Sequence, residues 1–127
     1  VAVELDMARR AFHPALVPAV IAVVCLAEPA VAAAEEDGRT QRAKEAFTAG
    51  RYREALDLFV ELYAETMDPI YLRVIGRCHQ KLEDPDRAID AFQEYLRRAK
   101  KLGPDKRKEV EGFIAEMEAL RERRRQE

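Results

Sequence analysis

The chain has 127 residues, enough for one domain, with 36% charged residues and a formal net charge of -2. That balance gives no electrostatic case for nucleic acid or a membrane as the main partner. It contains no Ser, Asn or Trp, so a serine nucleophile is excluded and few groups suit polar chemistry in a pocket.

In chain order, Met7-Ala-Arg-Arg is a short basic start, followed by an apolar run from Ala15 to Ala27 and small residues from Ala30 to Ala34. Charge, apolar run and small-residue site in that order predict a secretory signal peptide over 1–34, cut near Ala34-Glu35. The run is short for a membrane span, and Pro14, Pro18 and Pro29 bracket or interrupt it. The alternative is an uncleaved anchor, and membrane contact is expected only if that segment is retained. Glu4 and Asp6 disfavour a signal start upstream, so translation is expected to begin at Met7. The exported product would sit in the periplasm or cell envelope. Val24 precedes Cys25, where a lipoprotein signal wants a small residue. Cleavage leaves Cys78 alone, without an internal disulfide partner, and a small buried hydrophobe is the expected role.

The remainder, 35–127, reads as five helices at about 36–49, 52–66, 69–81, 85–101 and 104–124. Gly50 ends the first. Asp68-Pro69 and Asp84-Pro85 each place an N-cap before a proline at the first helical position. Gly103-Pro104 opens the fifth. Apolar residues recur at three-four spacing: Leu56, Phe59, Leu62 and Tyr63, then Ile89, Phe92, Tyr95 and Leu96, then Val110, Phe113, Ile114, Met117 and Leu120. No stretch alternates with period two for long enough to be a strand.

The second and fourth helices carry one pattern twice. Ala55, Leu56, Phe59 and Tyr63 meet Ala88, Ile89, Phe92 and Leu96 at a separation of 33 residues. An Ala kept in both copies marks a close helix-helix approach. The Phe one turn later would fill the wedge between one helical pair and the next. A helical pair cannot bury its own apolar face, so it stacks on a copy of itself.

These residues resemble the tetratricopeptide repeat (TPR) family. Leu72-x2-Ile75-Gly76-x2-His79 followed by Ala88-x3-Phe92 carries its signature, and Gly50-x-Tyr52-x2-Ala55-x3-Phe59 carries the turn and second helix of an earlier copy. The first helix departs from it, with Arg39, Arg42, Ala43 and Ala46 where large apolar residues belong. In style the chain is similar to small exported bacterial TPR domains. The resemblance implies an all-α superhelix: repeat one about 36–68, repeat two about 69–102, and a capping helix about 104–124. It also implies a binding face lined by the first helix of each pair, which brings Lys44, Phe47 and Thr48, with Thr40, beside Arg73, Arg77, Gln80 and Lys81. Arg73, Arg77 and Lys81 are four apart and form one basic stripe, with Lys44 expected to face it. A solvated helix face is the other fate of such a stripe.

The function expected is non-catalytic capture of a protein or peptide, acidic or ending in a carboxylate that Arg grips with paired hydrogen bonds. No enzyme activity, cofactor, metal or nucleic-acid partner is expected. The alternative is a self-associating scaffold subunit, because two repeats make a thin core. Cys78 and His79 adjoin but point about 100° apart on a helix, so His79 is expected to pack. No acidic pair stands in an apolar setting fit for acid-base work. The basic cluster Arg121–Arg125 is expected to complement a helix C-terminus.

Overall fold

The computed structural model describes residues 28–127. Within them the chain is all-α, with five helices and no strand: α1 (Glu28–Thr48), α2 (Tyr52–Thr66), α3 (Pro69–Lys81), α4 (Pro85–Arg98) and α5 (Pro104–Gln126). Each helix packs on the next, α1 on α2 through to α4 on α5. Short connections make every neighbouring pair antiparallel. The result is a helical repeat-like array in which the starts of α1, α3 and α5 share one end with the finishes of α2 and α4.

Pro69, Pro85 and Pro104 open α3, α4 and α5 where expected, and the first two follow a capping aspartate. Asp68 Oδ1 accepts from the Ile70 amide at 3.0 Å, and Asp84 Oδ1 from the Arg87 amide at 3.3 Å. Each caps a helix whose first residue is proline, which lacks the N–H that would go unpaired there. The 33-residue repeat is also written in the backbone. At the α1–α2 turn the Arg51 amide donates to the Ala46 carbonyl, and at the α3–α4 turn the Asp84 amide donates to the His79 carbonyl. The residue in the left-handed conformation is Gly50 in the first copy and Glu83 in the second.

Three boundaries differ from the sequence reading. α1 begins at Glu28 instead of near 36. Ala30 and Ala32–Ala34 are strong helix formers and Pro29 is tolerated in a first turn, so the helix runs through the expected cut at Ala34-Glu35. Met7 and the apolar run lie outside the described residues. α4 stops at Arg98, and Ala99 turns extended. Leu102 packs back onto the core, and Pro104 demands an extended residue before it, which Gly103 supplies. α5 continues to Gln126.

The core is two joined clusters. The first holds Ala43, Ala46, Ala55, Leu56, Phe59, Leu62, Tyr71, Ile75 and Cys78; the second holds Leu72, Ala88, Ile89, Phe92, Tyr95, Val110 and Met117. Tyr63 touches both. Ala55 and Ala88 are both fully buried, consistent with close helix approach at each copy. Ala43 and Ala46, the departures in the first helix, are fully buried as well; their small side chains let α1 close onto α2.

Candidate functional site

The odd-numbered helices meet along one face. The middle of α1 is tied to the start of α3 by the Thr40 and Tyr71 hydroxyls, 3.1 Å apart, and by Tyr71 donating to Glu36 at 3.1 Å. Further along, a cleft of about 210 Å³ lies between the same two helices. Lys44, Phe47 and Thr48 line it from α1, Arg73, Val74 and Arg77 from α3, and Phe59 from α2 at its floor. The spacing explains the convergence: Lys44, Phe47 and Thr48 fall at i, i+3 and i+4 on α1, and Arg73 and Arg77 at i and i+4 on α3.

Lys44, Phe47, Thr48, Arg73 and Arg77 are thus brought together. Phe47 serves both core and cleft, since it is half-buried and its ring stands edge-on to Tyr52 with centroids 5.2 Å apart. Thr48 donates its hydroxyl to the Lys44 carbonyl at 2.9 Å. Thr40 lies outside the cleft, committed to Tyr71. Lys81, the last residue of α3, is exposed beyond the cleft. Gln80 is buried. Its Nε2 donates to Glu116 at 2.8 Å and its Oε1 accepts from Arg77, so Gln80 positions Arg77 and does not line the opening.

The stripe on α3 is partly answered from within the chain. Arg73 Nη2 donates to Glu109 of α5 at 3.0 Å. The Arg77 guanidinium lies 4.3 Å above the centre of the Phe113 ring, a cation-π contact. Hydrogen bonding from Lys106, with Arg73 nearby, holds the Glu109 carboxyl below its ordinary range. Arg73, Arg77 and Gln80 therefore meet Glu109, Phe113 and Glu116, each 36 residues later. One donor is left over: Arg73 Nε is buried without a hydrogen-bond partner, an arrangement that costs about 1–3 kcal/mol in general. On the other wall, Lys44 makes no ion pair among the described residues and is exposed.

Reading α5 as a cap missed Glu109, Phe113 and Glu116. Their three-four spacing matches that of Arg73, Arg77 and Gln80, and that match was the available signal. Phe59 and Val74 at the cleft were absorbed into the core pattern.

Elsewhere, burial pushes the Cys78 thiol up to about 12, so at neutral pH it is a packed thiol and not a thiolate nucleophile. His79 is buried, its Nδ1 3.9 Å from an Asp84 carboxylate oxygen. Among the described residues, no three His, Cys, Asp or Glu side chains come together as a metal site. Two of the arginines near the end of α5 are held by partners across the fold. Arg124 donates to the Glu83 carbonyl at 2.7 Å, and Arg121 lies 3.5 Å from Asp86. They tie α5 to the α3–α4 turn. No family model matches the chain, and neither a curated protein nor a solved structure matches it.

Proposed function

We propose that the chain is an exported, non-catalytic protein-interaction module of the tetratricopeptide type, working in the periplasm or cell envelope. Its cleft between α1 and α3 would receive an acidic side chain or a chain-terminal carboxylate of a partner, with an apolar group beside it. The observation that carries this reading is the gathering of Lys44, Arg73 and Arg77 around Phe47, Phe59 and Val74. A volume of about 210 Å³ suits one or two side chains, so the rest of a peptide would lie along the groove outside.

Self-association by stacking through the ends of the array is the weaker reading. Among the residues whose burial is described, the large apolar side chains that stand exposed are Val60, Met67 and Ile70, on α2, the α2–α3 turn and α3.

Lys44→Glu tests the groove cleanly, because Lys44 is exposed and gives up no ion pair. An envelope extract passed over the full chain and over the variant should yield a partner held by the parent alone. The partner's binding segment, made as a peptide, should then bind the variant at least ~10-fold more weakly, about 1.4 kcal/mol. Equal binding to both would remove the cleft from the reading.

A further inference from the structure

The two arginines at the cleft are held in different ways. A guanidinium has a side-on fork, the parallel N–H bonds of Nε and Nη2, which matches the two oxygens of a carboxylate. In Arg73 this fork is closed: Nη2 donates to Glu109 at 3.0 Å, and Nε is buried without a partner. In Arg77 it is open. The donor in use there is Nη1, on Gln80 Oε1. Arg73 Nε is the one buried side-chain donor left without a partner among the described residues, so the unbonded Nε and Nη2 of Arg77 are within reach of solvent. Arg77 also makes no ion pair among the described residues, whereas Arg73 is paired with Glu109.

Arg77 is nevertheless fixed. Its guanidinium rests 4.3 Å above the centre of the Phe113 ring. Phe113 is itself half-buried against Phe92, with ring centroids 5.4 Å apart. Gln80 holds the Nη1 side, and Glu116 holds Gln80. A ring beneath the guanidinium steadies it through its flat face and leaves the edge free, which an ion pair with a carboxylate would not. A long side chain fixed in advance loses less freedom when it binds.

We propose that Arg77 grips the partner's carboxylate through its Nε–Nη2 edge, and that Phe113 of α5 is the positioning residue that holds this edge ready. Arg73 stays on Glu109 and acts as wall. The inference rests on the reading that the groove receives an acid; it adds which arginine takes the acid and what holds that arginine in place.

The probe is hydrocinnamate, which has one carboxylate and one ring and is small enough for the cleft, with its neutral amide, hydrocinnamide, as control. Binding of each to the full chain is followed by NMR. Arg77→Lys and Arg73→Lys both keep the positive charge and remove the fork. Arg77→Lys should weaken hydrocinnamate at least ~10-fold, and Arg73→Lys less than about 2-fold. Phe113→Leu keeps an apolar group against Phe92 and removes the ring. It should weaken hydrocinnamate about 3-fold, the worth of one such contact, and leave hydrocinnamide unmoved, whereas a merely structural role would lower both alike. Equal losses in the two Lys variants, or a Phe113→Leu loss shared by acid and amide, would overturn the proposal and leave the acid reading standing. A parent chain that binds the amide as tightly as the acid, or binds neither, would overturn both.

Discussion

At residue scale, two glycines 36 apart give opposite expectations. A Cβ at Gly76 would stand 2.6 Å from two carbons of the Phe92 ring, while a Cβ at Gly112 meets nothing within 4 Å. Both lie inside helices, where Ala is favoured over Gly by about 1 kcal/mol. At Gly76 that gain is outweighed, because Phe92 is fully buried and overpacking a filled core costs about 1–3 kcal/mol. Gly76→Ala should therefore lower the urea midpoint, and Gly112→Ala should raise it. A stabilised Gly76→Ala would mean that α3 and α4 are not in close contact there. His79 gives a pH signature. Burial, opposed by Asp84 and aided by Arg87 and Arg53, holds its pKa below the ordinary value. The folded chain thus favours the neutral imidazole. As pH falls below about 6.5, the unfolded chain takes up the proton first, and stability drops until pH passes the depressed folded value. Carboxylates such as Glu65 and Glu109, whose folded values are lowered, lose their contribution only at lower pH. Thermal melts between pH 7.5 and 5 should show this decline, and His79→Gln should flatten it.

At the scale of elements, legibility followed the chemistry of helix ends. The bounds of α2 and α3 were readable because each end carries a local device: Gly50 in the left-handed turn before α2, and the Asp68 cap with Pro69 opening α3. The end of α4 was misread because nothing at Arg98–Lys101 forbids a helix; the stop comes from Leu102 packing into a distant core. The start of α1 was misread for the opposite reason. A signal peptide and a helix start both favour alanine, and composition alone does not separate them. The cleft was largely legible because it depends on periodicity within α1 and α3. Gln80 was misplaced because its role depends on Glu116, which is near it only once α5 is folded back. Lys81 was misplaced because helical spacing says nothing of where a cleft ends.

For the whole molecule, α5 links stability to the site. It buries Val110 and Met117 in the second cluster and so covers the outer face of α4. From the same helix Glu109, Phe113 and Glu116 reach the basic stripe of α3. One element thus adds to the core and partly neutralises the groove. Glu109→Gln/Glu116→Gln separates the two roles, because Val110, Phe113 and Met117 remain. Both acids are exposed or at the rim, so the melting temperature should move little, as for exposed ion pairs in general. The groove should gain net positive charge, and the hold on Arg73 Nη2 should weaken from an ion pair to a neutral hydrogen bond. An acidic peptide that binds the parent should bind the variant more tightly, and the gain should shrink as salt rises. Phe113→Ala should act differently: it removes the surface beneath Arg77 and the contact with Phe92, whose ring centroid lies 5.4 Å away. It should therefore cost stability. If the double Gln variant instead unfolds and binds no better, then Glu109 and Glu116 hold α5 in place, and the groove gains its positive charge only by losing its wall.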